Sequence, residues 1–103
     1  MAKSIKMKAI LRKGTLTLRA LIRHPMKVSL RDPDTGELTP GHFIQEVICR
    51  LNGEVILQAH WGQGISKNPY LSFRYQGASP GDRLSLEWRD NRGRSDAREI
   101  VIE

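Results

Sequence analysis

Few side chains in this chain offer strong chemistry: one cysteine, Cys49, and three histidines, His24, His42 and His60. A nucleophilic cysteine needs a cationic, partly exposed setting that stabilises its thiolate. Cys49 instead alternates with Val47 and Leu51 and points away from Arg50, so it reads as a small core hydrophobe. The sharper reading is an inter-subunit thiol, able to cross-link to another chain in an oxidising compartment. With a single cysteine, no internal disulfide forms. His42 and His60 fall on one outer hairpin face, with His60 opposite Ile44 and His42 diagonal to it. Two histidines are fewer than the three protein ligands of a usual catalytic zinc site. We therefore expect a surface coincidence, no metal and no cofactor. There is no Walker loop, dinucleotide fingerprint or zincin motif. Gly62-Gln63-Gly64 opens no helix, which weakens a phosphate-cradle reading. Neither paired carboxylates nor a Ser/His/Asp set stands out, so the chain reads as a non-enzyme.

The charges are the next resource. The net charge is +6, and it is unevenly placed. Residues 1–31 hold nine lysines and arginines and no acid, whereas residues 32–103 hold eight bases and eleven acids. Such asymmetry points to an anionic partner: nucleic acid, an acidic protein surface or a small oxyanion. Lys6, Lys8, Arg19 and Arg23 would fall on outward positions of two strands, forming a basic patch suited to electrostatic steering of acidic partners.

The elements that must position these residues are strands. Ile5, Met7, Ala9 and Leu11 alternate with basic residues, and after Lys13-Gly14 so do Leu16, Leu18, Ala20 and Ile22. Pro25 breaks the pattern. Residues 27–30 suit a short edge strand. Residues 31–41 are turn chemistry throughout, an exposed hairpin loop. The central hairpin is Phe43–Trp61, around Asn52-Gly53. Phe43, Val47, Cys49 and Leu51 share one face; Val55, Leu57, Ala59 and Trp61 share another. A three-residue Leu51-Asn52-Gly53 loop with a bulge would pair Val47 with Leu57 and Cys49 with Val55, so that register is expected, with Gly53 left-handed. Leu71, Phe73 and Tyr75 alternate next. Ser79-Pro80-Gly81-Asp82 has the type II signature. Leu84, Leu86 and Trp88 alternate before a turn at 90–93, and a last run ends at Ile102.

At 103 residues this is one domain, spanning 1–103. About seven strands with frequent turns predict an all-β fold, an antiparallel β-sandwich of the immunoglobulin or fibronectin type III kind. A small closed barrel is the alternative. No apolar run is long enough to span a bilayer as a helix, and no membrane partner is expected. The N-terminal run lacks a signal peptide's apolar stretch, so we expect no export signal in this chain. Aromatics sit mostly on core faces and leave only Tyr70 for base stacking, which ranks nucleic acid behind protein as a partner. Exposed sandwich edges also allow the isolated chain to form a homodimer.

Several segments together carry a resemblance: LIRHPM, HFIQEV, LNGE, GISKNPYLSF and GDRLSLEWRDNRG, in this order. They resemble the Z-subunit family of the Sox thiosulfate-oxidising system over nearly the whole chain. The most specific parts are His24-Pro25-Met26, Gly64-Ile65-Ser66, Asn68-Pro69-Tyr70 and Trp88-x-Asp90-x-x-Gly93. The resemblance implies an immunoglobulin-like sandwich that pairs with the Y subunit (SoxY-like) as a heterodimer. The Y subunit carries the sulfur intermediate on a cysteine in a glycine-rich C-terminal arm, and other Sox enzymes visit it transiently. No Gly-Gly-Cys ends the present sequence, so the resemblance is to the non-carrying subunit. It further implies a periplasmic location, reached by export together with the signal-bearing partner. Partner-binding candidates are His24, Pro25, Met26, Asn68, Pro69 and Tyr70, if their two loops share one end of the sandwich. The alternative is a basic β-sandwich module binding nucleic acid or acidic ligands.

Overall fold

The structure is a computed structural model that describes residues 4–103. The described residues form nine strands and no helix. In chain order they are β1 (Ile5–Arg12), β2 (Thr15–Ile22), β3 (Leu30–Arg31), β4 (Leu38–Thr39), β5 (Ile44–Leu51), β6 (Glu54–His60), β7 (Tyr70–Gln76), β8 (Arg83–Asp90) and β9 (Ser95–Val101). All pairings are antiparallel. One sheet has the order β1-β2-β7, the other β6-β5-β8-β9. Their inner faces share one core, with Leu16, Leu18, Ile22, Ile44, Val47, Cys49, Leu84 and Leu86 all fully buried. This is the expected β-sandwich, with seven long strands and two short ones.

The strand alternation follows the sequence closely. In β2 the even residues Leu16, Leu18, Ala20 and Ile22 are buried and Arg19 is exposed. In β8 the same holds for Leu84, Leu86, Trp88 and Asp90. Period-two burial is what a sheet with one wet face requires. Lys13 and Gly14 both have positive φ, 51° and 77°, which makes the β1–β2 connection a two-residue type I′ turn.

The central hairpin departs from the expected register. Asn52 and Gly53 form a two-residue loop with φ of 51° and 84°, and Leu51 faces Glu54. Gly53 is left-handed as expected, but the bulge is not in the turn. It lies inside β6, where Ile56 is the extra residue between the Arg50–Val55 and Cys49–Leu57 pairs. Val47 therefore faces Ala59, not Leu57, and Cys49 faces Leu57, not Val55. Val55 is correspondingly on the wet side, 49% exposed. The physical reason is the tip. Asn52 Nδ2 donates to Asp82 Oδ1, and the Arg83 N–H donates to Asn52 Oδ1, at 3.1 and 2.9 Å. These bonds fix the type I′ turn, and the inner bulge then restores the apolar match.

A second bulge lies in β5 against β8, where Gln45 is the extra residue between the Ile44–Asp90 and Glu46–Arg89 pairs. It switches the inward parity, so Ile44 rather than Phe43 enters the core beside Val47 and Cys49. Beyond β2 the chain leaves the sandwich as an arm. Lys27 and His42 bridge at its base, and β3 and β4 pair further out. Every residue from 30 to 40 is exposed.

Candidate functional site

The arm's base is where the chemistry-bearing residues converge. His24 continues the inward alternation of β2, and Asp90 continues that of β8 past Trp88. Pro25 then turns the chain, and His42 returns it from the arm. All three side chains are buried: His24 is 4% exposed, His42 8% and Asp90 4%. Both imidazoles donate from Nε2 to a single carboxylate oxygen, Asp90 Oδ2, at 3.1 Å from His24 and 2.7 Å from His42. The other oxygen, Oδ1, accepts the backbone N–H groups of Arg92 and Arg94 at 3.0 and 2.8 Å. A buried carboxylate is tolerable only with this degree of satisfaction.

The proton positions follow from the neighbours. The Met26 N–H donates to His24 Nδ1 at 3.1 Å, so that nitrogen carries no proton and Nε2 does. Burial lowers the His24 pKa; the Asp90 bond opposes this, and the nearby His42 and Arg94 add to the lowering. Protonating His24 would set an Nδ1–H against the Met26 N–H, which points the same way. For Asp90, burial pushes the carboxyl up, but bonds from His24, His42 and the Arg94 and Arg92 N–H groups outweigh it and hold the pKa at about 2. Trp88 stacks edge-on to His24 at 5.2 Å and donates Nε1–H to Ser4 Oγ.

The surrounding backbone is built to hold this set. Met26 has a positive φ of 45° and its sulfur accepts the Ile44 N–H at 3.3 Å. Gly41 passes so close to Lys27 that a Cβ there would lie 2.7 Å from the Lys27 carbonyl oxygen. Asn91 clamps the returning chain, accepting the Phe43 N–H and donating to the Gly41 carbonyl. The second loop joins here too. Asn68, with φ 51°, accepts the His24 N–H through Oδ1 at 3.0 Å and donates its own N–H to the His24 carbonyl at 2.9 Å.

Two histidines and a carboxylate with ligand atoms inside 4.8 Å have the composition of a metal site. The hydrogen bonds give them a different use. A metal on His24 Nε2 needs that lone pair, which forces a proton onto Nδ1 and opposes the Met26 N–H. As arranged, the two imidazoles keep their Nε2 protons, the carboxylate accepts both, and the set pins three chain segments together.

The sequence placed the histidines differently. It paired His42 with His60 on an outer face, but His42 is buried and His60 is exposed opposite Glu46. The error came from extending β5's alternation through Gly41-His42, across a bulge. In the sequence Asp90 stands out only as the start of a turn and as part of the Trp88-x-Asp90-x-x-Gly93 motif, not as a buried acceptor. Its signal was present: Leu84, Leu86, Trp88 and Asp90 share one parity.

The partner-binding candidates are brought to one end, as His24-Pro25-Met26 and Asn68-Pro69-Tyr70 are hydrogen-bonded to each other. Within them Pro25, Asn68 and Tyr70 are exposed, whereas His24, Met26 and Pro69 are buried. Lys6, Lys8, Arg19 and Arg23 do share the outer face of the β1-β2-β7 sheet and are exposed. Cys49 is 0% exposed and burial pushes its thiol up to about 12. That places it in the core, out of reach of a thiol on another chain, which corrects the inter-subunit reading.

Three of the motifs that carry the family resemblance, His24-Pro25-Met26, Asn68-Pro69-Tyr70 and Trp88-x-Asp90-x-x-Gly93, meet around Asp90. No curated protein matches the chain. The family of sulphur oxidation protein SoxZ matches residues 5–101, nearly the whole length. The chain therefore belongs to the SoxZ family, subunits of the Sox sulfur-oxidation system.

Proposed function

We propose that the chain is the non-catalytic half of a heterodimeric sulfur-substrate carrier in thiosulfate oxidation. Its lasting partner is a Y subunit whose C-terminal cysteine carries the sulfur intermediate. On this reading the pair works in the periplasm and is exported on the partner's signal. Cys49 supports the assignment of carriage to the other chain. A thiol 0% exposed, with its pKa pushed up to about 12, is neither ionised nor able to swing between enzymes.

The observation that carries the partner reading is the arm. Val28, Leu30 and Leu38 are 46, 62 and 53% exposed. They are three of the six exposed large hydrophobic residues among those described. Two short strands standing off a sandwich gain little stability by themselves. Such an arm fits an interface that a second chain covers. Its base is rigid, because the His24–Asp90–His42 set, Gly41 and Asn91 fix where it leaves the sandwich. Pro25, Asn68 and Tyr70 line the adjoining rim, and tyrosine is enriched at interfaces.

Co-expression with a signal-bearing, cysteine-ended partner tests this reading. The two chains should co-purify in equal amounts. Leu30→Glu with Leu38→Glu should abolish co-purification while leaving the isolated chain folded by circular dichroism. A stable pair formed by that double variant would overturn the arm's role.

A further inference from the structure

The outer face of the β1-β2-β7 sheet is a second surface with its own logic. The register sets it out as four rows: Lys6, Leu21 and Tyr70; Lys8, Arg19 and Ser72; Ile10, Thr17 and Arg74; Arg12, Thr15 and Gln76. Arg23 continues the middle column just beyond the end of β2. None of the three strands contains an acid. Among the described residues, the ion pairs on the other sheet are Arg50–Glu87, Arg83–Glu99 and Arg89–Glu87. No such pair involves Lys6, Lys8, Arg12, Arg19, Arg23 or Arg74.

The arrangement is unfavourable for folding taken alone. Lys8 lies directly across from Arg19, and like charges opposite one another weaken a sheet. Aliphatic and aromatic groups lie among the cations. Tyr70 is 61% exposed, and Leu21 and Ile10 are half-buried. Lys6, Lys8, Arg19, Leu21 and Tyr70 border a shallow groove of about 180 Å³.

We propose that this face docks the acidic surface of another protein. Its charge is the complement of a carboxylate cluster, and charge of this kind sets encounter rate and partner choice. Leu21 and Tyr70 lie in the row beside Lys8 and Arg19 and line the same groove, so apolar contact and charge are offered side by side, as a protein interface uses them. A nucleic acid would use the cations, but base stacking needs several exposed aromatics and the face has one. A small oxyanion would use Lys8 and Arg19 and leave Leu21 and Tyr70 idle. The inference rests on Lys6, Lys8 and Arg19, which lie away from the arm; Tyr70 stands where this face meets the rim beside the arm. A carrier subunit would then have one surface for its lasting partner and one for transient visitors.

An oligoglutamate peptide, titrated into the full chain and followed by amide chemical shifts, tests the proposal. The shifts should map to β1, β2 and β7. Lys8→Glu with Arg19→Glu should weaken the peptide at least tenfold and flatten the salt dependence, while Arg92→Glu, in the turn between β8 and β9 of the other sheet, should change affinity less than twofold. The neutral pair Lys8→Gln with Arg19→Gln serves as the second variant if charge reversal disturbs folding, and should weaken binding several-fold. Three results would overturn the inference: shifts spread over the other sheet, tighter binding at this face by a single-stranded oligonucleotide of equal charge, or saturation of the same amides by thiosulfate with no further gain from the peptide. Retained co-purification with the Y-type partner in the Lys8/Arg19 variants would separate this face from the arm.

Discussion

Two regions of this molecule treat charge in opposite ways. At the base of the arm, one buried carboxylate accepts two imidazole N–H groups and two backbone N–H groups. On the outer face of the β1-β2-β7 sheet, five cations, Lys6, Lys8, Arg12, Arg19 and Arg74, have no acid on their own three strands, and Arg23 adds a sixth just beyond β2. The first region pairs all four of these donors and is shielded from water. The second is wet and unpaired. The contrast separates polar residues that specify the fold from those left free for another molecule. It also explains why a His-Asp-His set with the composition of a metal site serves here as an anchor.

The largest expected effect is at the anchor. Asp90→Ala leaves two imidazole donors and two backbone donors without their acceptor. Removing one member of a buried charged network costs roughly 3–5 kcal/mol. Urea unfolding at neutral pH should show a loss of that size, and a loss well under about 1 kcal/mol would reject the anchor role. No single lysine on the basic face should approach it.

Acid should find the same region next. The Asp90 carboxyl lies at about 2 against an ordinary 3.8. A depressed carboxylate contributes stability that is complete above the unfolded value and is lost as pH falls through the folded one. That contribution is about 2 kcal/mol. His24, lowered from 6.5, acts earlier and in the same direction. Below about 6.5 the unfolded chain takes up this proton before the folded chain does. The urea midpoint should therefore fall in two stages on acidification, one beginning near pH 6.5 and one below about pH 4. A midpoint flat from pH 7 to pH 3 would contradict the assigned proton positions.

The smallest effect belongs to the face. Lys8→Gln removes one of two like charges set directly opposite one another, Lys8 and Arg19. Stability should be unchanged or rise by a few tenths of a kcal/mol. A clear loss in thermal unfolding would mean that Lys8 supports the fold, and the contrast between the regions would collapse.

Much of the fold was legible because alternation reports directly on a half-buried sheet. Leu16 to Ile22 and Leu84 to Trp88 needed nothing more. The sandwich and the shared face of Lys6, Lys8, Arg19 and Arg23 followed from the same periodicity. The site was far less legible, for two physical reasons. Bulges at Gln45 and Ile56 reverse side-chain parity without any marked sequence signal, which sent His42 outward and Val55 inward on paper. Asp90 sits where turn chemistry and strand parity overlap, and its turn chemistry dominated the reading. That His24, His42 and Asp90 meet depends on pairing between β5 and β8 and on the arm's return, contacts separated by many residues. Local pattern has no access to them. The motif resemblance pointed to the right segments but not to what joins them.

The most direct test is amide hydrogen exchange of the chain alone and bound to the signal-bearing, cysteine-ended partner proposed for it. New protection is expected along residues 28–40 and at the Pro25, Asn68 and Tyr70 rim. Amides around Asp90 should exchange slowly in the isolated chain and change little on binding. Protection confined to other surfaces, with the arm exchanging as freely in the complex as alone, would contradict the proposed arm interface.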